Sequence, residues 1–173
     1  MSKVLFLDID GVLNTERQHD RCVNEGIAPV DGLGYAFDSE AVANLKRIVE
    51  HTGADIVISS SWKVWGLDAM QRLWLRRDLP GQVIDITPRT ESGEMLLSVD
   101  LDFMDIPAVK GSEIKEWLST NGRDVTHYAI LDDFPDMLPE QHSHFVQTDP
   151  IIGITEEDAE RIIKILINKP TEQ

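Results

Sequence analysis

The chain has 173 residues, 42% of them hydrophobic and 27% charged, which favours one soluble globular domain. The formal net charge of −15 repels phosphate backbones, so we expect no broad nucleic-acid binding. The one cysteine, Cys22, excludes an intrachain disulfide, and there is neither a secretion signal nor an apolar run of the roughly 20 residues that span a bilayer. We therefore expect a cytoplasmic protein that makes no membrane contact.

Short apolar segments alternate with amphipathic segments along the chain. In chain order, the pattern predicts a strand at 4–7, a helix from Asp38 to about 51, a strand at 55–59, a helix at 67–79, a strand at 83–87, a helix at 111–120, strands at 128–131 and 145–147, and a last helix after Thr155. Uninterrupted apolar strands are typical of a sheet covered on both faces. We therefore predict an α/β fold with a mostly parallel sheet.

Two segments lack a regular pattern. Residues 14–37 are polar and glycine-bearing, which predicts a loop or a small irregular insertion that forms a flap. Residues 88–109 are the least regular part and predict a lid-like segment. Neither segment has the length of a helical cap domain, so we expect residues 1–173 to form a single domain with an open site.

Acidic and hydroxyl side chains follow the predicted strands at the points where these end. Asp8 and Asp10 follow the first strand, Ser59 ends the second, and Asp132 and Asp133 follow the strand at 128–131. Ligands of open parallel sheets bind at this carboxyl edge. Because four carboxylates at one edge repel each other, we expect a hard cation that prefers oxygen ligands, namely Mg²⁺.

This pattern predicts phosphoryl-transfer chemistry. Asp8, held as a carboxylate, would attack phosphorus, and Asp10 would act as general acid and then as general base for water. A serine hydroxyl and a lysine ammonium would hold the phosphoryl oxygens. We expect a Mg²⁺-dependent phosphomonoester hydrolase with an aspartyl-phosphate intermediate.

Four segments of the chain resemble, in order, the motifs of phosphatases of the haloacid dehalogenase (HAD) superfamily. They are FLDIDGVLN, IVISS, AVKGSEIKEWL and YAILDDFPDM, and together they extend over nearly the whole chain. The nearest subgroup is similar to the HAD domains of bacterial RNA-repair proteins. The resemblance implies a Rossmann-like three-layer sandwich without a large cap, phosphatase activity and Mg²⁺.

The resemblance also implies a role for individual residues. Asp8 matches the nucleophile and a metal ligand, and Asp10 matches the acid–base residue, whose backbone carbonyl contributes to the metal site. Lys110 matches the lysine of the third motif, Asp133 matches a direct metal ligand, and Asp132 matches its supporting neighbour.

The second and third motifs leave alternatives open. Ser59 matches the phosphate-binding hydroxyl, but three serines occur in succession, so Ser60 is an alternative. Lys110 lacks the usual following proline, which leaves Lys115 as an alternative. Asp136 fits the outer part of the site and the surface equally well. For Trp62 and Trp65, core packing or shielding of the site is the simpler interpretation.

The substrate class stays open between a small molecule, a nucleotide, a nucleic-acid end and a phosphoprotein. A basic patch of Arg72, Arg76, Arg77 and Arg89 would permit an end-specific nucleic-acid contact despite the net charge. Two other functions are a non-catalytic phosphate-binding module and a dehalogenase. A dehalogenase does not need the acid at Asp10, and a degenerate module usually loses one of the acids that this chain keeps.

Overall fold

The computed structural model describes residues 2–89 and 109–168, which form a sheet with helices on both faces. The elements are β1 (Ser2–Leu7), α1 (Glu16–Asn24), β2 (Val30–Asp31), β3 (Gly34–Tyr35), α2 (Ser39–Thr52), β4 (Asp55–Ile58), α3 (Leu67–Arg76), β5 (Val83–Ile86), α4 (Val109–Asn121), β6 (Val125–Asp132), β7 (Phe145–Gln147) and α5 (Glu156–Ile167). Short 3₁₀ segments occupy Ser61–Trp65, Gly122–Asp124 and Pro139–His144.

The main sheet has five strands in the order β5-β4-β1-β6-β7, and all neighbouring strands run parallel. Side chains of β1 alternate between two hydrophobic clusters, because successive residues of a strand point to opposite faces. Leu5 and Leu7 pack in one cluster with α2, α3 and α5, whereas Val4 and Phe6 pack in the other with α4. The result is the predicted α/β fold in three layers.

The caps of two helices agree with the sequence. Asp38 caps α2 by accepting a hydrogen bond from the amide of Glu40, and Gly53 ends this helix with φ +65°. Thr155 and Asp158 form a reciprocal capping box at the start of α5. Boundaries differ by a few residues; α3 ends at Arg76 instead of residue 79, and β6 begins at Val125.

Residues 14–37 are more regular than a loop. They contain α1, which Thr15 caps by accepting a hydrogen bond from the Gln18 amide at 3.0 Å, and the hairpin β2–β3. The sequence pattern missed α1 because Cys22 is the one buried residue of this polar helix, so it has no apolar stripe. Strands of two residues are too short to show a period. In the part of the chain that the structure describes, no larger cap covers the sheet edge.

The described residues do not test two of the sequence-based predictions. The lid-like segment predicted at 88–109 lies almost entirely outside the described residues, and the single-domain organisation of residues 1–173 stays a prediction. Within residues 2–89 and 109–168, no helix is both long enough and apolar enough to cross a membrane.

Candidate active site

Three neighbouring strands end at one level of the sheet edge and bring polar side chains together there. Leu7 pairs with Ile58 on β4 and with Leu131 on β6, so the next residue of each strand belongs to the same layer. These residues are Asp8, Ser59 and Asp132, and all three are buried. The amide of Asp8 donates to the carbonyl of Leu131 at 3.0 Å, and that of Ser59 donates to the carbonyl of Leu7 at 2.9 Å. The backbone ladder therefore fixes the spacing of the site.

Asp8, Asp132 and Asp133 form an acidic cluster in which one carboxylate oxygen of each lies within 4.8 Å of the others. Burial raises the pKa of Asp133, and the negative charge of Asp8 raises it further. A cation among these oxygens would relieve both effects. The donor set consists of carboxylates alone, which suits Mg²⁺.

Lys110, at the start of α4, reaches into this cluster. Its Nζ donates to the carboxylate of Asp8 and to Oδ2 of Asp132, the latter at 2.6 Å. Burial lowers the pKa of Lys110, but the charges of Asp8 and Asp132 outweigh burial, so the pKa is raised and the ammonium is retained. Lys115, the alternative from the sequence, is exposed and pairs with Glu140 at 2.9 Å. The structure therefore places Lys110 and not Lys115 at the site.

Both carboxylate oxygens of Asp132 already have donors. Oδ1 accepts from the amide of Phe134 at 2.9 Å, and Oδ2 accepts from Lys110. Burial and the charge of Asp8 raise the pKa of Asp132 to about 7, although Lys110 acts in the opposite direction. Asp133 lies against Gly11, where a Cβ would come within 2.4 Å of Asp133 Oδ2. Gly11, with φ +69°, is the residue that allows this close approach.

The three serines after β4 have different partners. The buried Oγ of Ser59 has no hydrogen-bond partner among the described residues. Ser60 Oγ accepts from the amide of Trp62 at 3.4 Å, and Ser61 Oγ donates to Asp10 at 3.3 Å. An unpartnered buried hydroxyl costs free energy unless a ligand satisfies it, so Ser59 suits a phosphoryl oxygen better than Ser60 does.

Asp10 lies apart from the acidic cluster and is held by its own set of donors. Its carboxylate accepts from Asn14 Nδ2 at 2.6 Å and from Trp62 Nε1 at 3.0 and 3.1 Å, in addition to Ser61. Its side chain is not among the three carboxylates that could hold an ion. These donors hold the Asp10 carboxylate beside the segment Ser61–Trp65, outside the acidic cluster.

Comparison with protein families matches residues 4–159 to the HAD domain in Swiss Army Knife RNA repair proteins. The chain belongs to this family. The match covers most of the chain and confirms both the resemblance seen in the four motifs and the fold class. Membership in this family supports a HAD-type hydrolase. A comparison with curated proteins found no match.

Two residues of this HAD domain position Lys110 without touching the acidic cluster. The carboxylate of Asp136 accepts from the amides of Val109 and Lys110 at 3.1 and 3.0 Å, so it caps α4 from another part of the chain. Gln141 is buried and donates to the carbonyl of Gly111 at 2.8 Å. Sequence reasoning left Asp136 undecided and missed Gln141, because neither contact is local in sequence.

The insertion of this HAD domain is fixed to the core beside Asp10. The ring of buried Trp62 lies against Gly34 of the hairpin, where a Cβ would come within 2.6 Å of the indole. Arg77 donates to the carbonyls of Tyr35 and Gly34 at 2.6 and 3.2 Å and stacks over Phe37 at 4.3 Å. Trp62 therefore packs as the sequence indicated, and its indole N–H also binds Asp10. Trp65, for which the sequence indicated the same packing, is exposed instead.

Lys63, next to Trp62, is not a free cation. Its side chain is largely buried, forms an ion pair with Glu113 of α4, and donates to Thr87 Oγ1 at 2.9 Å. Burial lowers the pKa of Lys63, while Glu113 opposes this effect. The ion pair connects the segment after β4, which follows Ser59, to α4, which carries Lys110. It therefore fixes the position of these two parts of the site relative to each other.

Proposed function

We propose that this HAD domain is a Mg²⁺-dependent phosphomonoesterase that forms an aspartyl-phosphate on Asp8. The observation that carries the proposal is the cluster of the buried Asp8 and Asp132 and the half-buried Asp133, with Lys110, at one sheet edge. Carboxylates and a lysine at the carboxyl ends of parallel strands are what phosphoryl transfer requires, because this chemistry depends on positioning and on neutralising charge.

Asp8 and Asp133 would hold the Mg²⁺, with the backbone carbonyl of Asp10 contributing as in the family pattern. Asp132 would support them, since both its oxygens already accept hydrogen bonds. When bound, the ion would neutralise negative charge on the phosphoryl oxygens. The acidic cluster has the donor chemistry and the spacing for such an ion.

In the first step, a carboxylate oxygen of Asp8 attacks phosphorus, and the bond from phosphorus to the leaving oxygen breaks. Asp10 donates its proton to that oxygen, so the product leaves as an alcohol. Lys110 and the Ser59 hydroxyl hold the phosphoryl oxygens as charge develops on them. The unpartnered Oγ of Ser59 supports its part in this step.

In the second step, Asp10, now a carboxylate, removes a proton from water. The water oxygen attacks the phosphorus of the Asp8 phosphate, the bond to Asp8 breaks, and inorganic phosphate leaves. Asp10 is protonated again, so the cycle closes. The three donors around Asp10 support this role because they hold its carboxylate in one place.

Among the possible substrates, we favour the terminal phosphate of a nucleic acid. Among the described residues the insertion is small and no larger cap covers the sheet edge, which suits a bulky phosphomonoester. The description of the family names RNA repair, which supports a nucleic-acid end over a metabolite or a phosphoprotein.

The test is hydrolysis of an aryl phosphate with Mg²⁺, with EDTA, and with the Asp8→Asn variant. We expect turnover with Mg²⁺ alone and a loss on the order of 10⁴-fold or more in the variant, because an amide is a poor nucleophile. Phosphate binding without turnover would favour the binding module. Metal-independent halide release from a haloacid would favour the dehalogenase.

A further inference from the structure

A groove of about 420 Å³ lies between the hairpin β2–β3 and helix α3. Its lining includes Leu33 of the hairpin, Trp65, and Leu73, Arg72 and Arg76 of α3. We call it the Trp65 groove. None of the roles proposed for the active site uses its residues.

The charge of the Trp65 groove is opposite to that of the whole chain. Its lining contains Arg72 and Arg76 and no acidic residue, although the chain carries a net charge of −15. Both arginines are exposed, and among residues 2–89 and 109–168 neither has an acidic partner within ion-pair distance. They are four residues apart on α3 and therefore lie on one face of the helix. The groove thus offers two adjacent cations to an anionic ligand.

The groove also offers an aromatic surface. Trp65 is 56% exposed, which is unusual for an indole, and its ring packs edge-on against Trp62 with the centroids 5.0 Å apart. Trp62 is buried, so Trp65 is supported from behind while one part of its ring faces solvent. Exposed aromatic rings next to cations are the elements that bind single-stranded nucleic acid, through base stacking and backbone contacts.

Trp62, which is not part of the groove lining, contacts both the Trp65 groove and Asp10. Trp62, which supports Trp65, donates its indole N–H to Asp10. Gly34 lines the groove and also contacts the Trp62 ring. A ligand that contacts Trp65 would therefore be separated from Asp10, the acid–base residue of the proposed mechanism, by the ring of Trp62.

We propose that the Trp65 groove binds a single-stranded nucleic acid near its phosphorylated end, with a base stacked on Trp65 and backbone phosphates paired with Arg72 and Arg76. This assignment rests on the proposed phosphomonoesterase function, since the bound strand presents its terminal phosphate to Asp8. Binding at this groove is compatible with a net charge of −15, because the positive contact is local. The remainder of the surface would repel the nucleic-acid strand.

The first test is binding of a labelled oligonucleotide of about eight nucleotides with hydroxyl ends, followed by fluorescence anisotropy. Trp65→Ala is expected to weaken binding by between about 5-fold and about 140-fold, without changing the salt dependence. The double variant Arg72→Gln with Arg76→Gln is expected to reduce the slope of log K against log salt by about 1.4, because two phosphate contacts are lost.

Arg123→Gln is the matched control. Arg123 is exposed and precedes β6, at the opposite edge of the sheet, so its loss removes a positive charge away from the groove. We expect this variant to bind as the wild type does. The double arginine variant changes only exposed side chains, and it tests the proposal even where Trp65→Ala reduces the yield of folded protein.

The second test separates this assignment from the proposed function. The double arginine variant is expected to keep the wild-type kcat/KM for an aryl phosphate and to raise KM for an oligonucleotide with a terminal phosphate. Absence of aryl-phosphate hydrolysis in the wild type would contradict the phosphomonoesterase, whereas the anisotropy result would be unaffected. Unchanged oligonucleotide affinity and salt slope in both groove variants, or binding of a phosphopeptide in place of the oligonucleotide, would overturn the assignment of the groove.

Discussion

The strands on the two sides of β1 supply different kinds of groups to the same sheet edge. The β6 side carries Asp132 and Asp133 and receives Lys110 from α4, whose ammonium pairs with Asp132 and with Asp8. The β4 side carries Ser59 and Trp62, and the hairpin packs against it. In the proposed mechanism, the β6 side would therefore hold the charged groups and the metal, and the β4 side would position the proton donor.

The largest loss of activity among the variants compared below is expected from Asp10→Asn, which tests the β4 side because Trp62 and Ser61 hold Asp10 there. Loss of a general acid typically lowers the rate by about 10²–10⁴-fold. The loss is expected to be smaller for aryl phosphates than for alkyl phosphates, whose leaving oxygen needs the proton more. Comparison of kcat for both substrates at saturating Mg²⁺ measures this difference. Equal losses would show that Asp10 is not the acid.

The β6 side can be tested without any turnover. At about 100 times its Kd, a ligand stabilises the folded state by about 2.7 kcal/mol, which for a chain of this length raises Tm by roughly 5–11 °C. We expect Mg²⁺ to have this effect on the wild type and a much smaller effect on Asp133→Asn, which lacks one charged ligand. Asp10→Asn serves as the control and is expected to keep most of the Mg²⁺-dependent shift. A full shift in Asp133→Asn would contradict its role as a ligand.

Trp62→Phe separates packing from hydrogen bonding on the β4 side. Phenylalanine keeps a ring against Gly34 but loses the N–H that binds Asp10. Because Asn14 and Ser61 still donate to Asp10, we expect kcat to fall by about 10-fold, or about 1.4 kcal/mol, and more for alkyl than for aryl phosphates.

Trp74→Phe is the matched control for this variant. Trp74 is also buried and donates its indole N–H to the carbonyl of Pro80 at 3.0 Å, away from the acids. It is expected to lower Tm without changing the ratio of the two kcat values. The same ratio in Trp62→Phe as in the wild type would remove Trp62 as a positioning residue.

The smallest effect is expected at Asp136, which positions the β6 side indirectly. Loss of a helix cap costs about 1 kcal/mol, so Asp136→Ala is expected to lower Tm by roughly 2–4 °C. We also expect a few-fold lower kcat, because the start of α4 carries Lys110. Asp136→Asn keeps an accepting oxygen and is expected to restore most of both losses. If Asp136→Ala behaves like the wild type, the cap does not position Lys110.

The sequence predicted the groups that lie at strand ends better than the groups that support them. Asp8, Ser59 and Asp133 follow apolar strands, and a parallel sheet brings such positions to one edge wherever the helices pack. The fold class was predictable for the same reason, since buried strands and amphipathic helices leave a periodic pattern.

The supporting contacts left no such pattern. Trp62 reaches Asp10 across 52 positions and Asp136 reaches Lys110 across 26, so both contacts depend on the packed fold. Helix α1 buries only Cys22, and the hairpin strands have two residues each, so neither shows the period of its element. The assignment of Ser59 over Ser60 likewise needed the positions of three hydroxyl groups that are adjacent in sequence.

The position of Lys110 has a consequence for the order of folding and metal uptake. Its ammonium lies between Asp8 and Asp132, so the chain supplies its own counter-ion to a group of buried acids. The single ammonium offsets part of the charge of the three carboxylates, so the chain can complete its fold before it meets a cation, while some repulsion within the cluster remains. In the proposed function, metal uptake would then follow folding: Mg²⁺ would add stability and permit turnover, but the chain would not require it in order to fold.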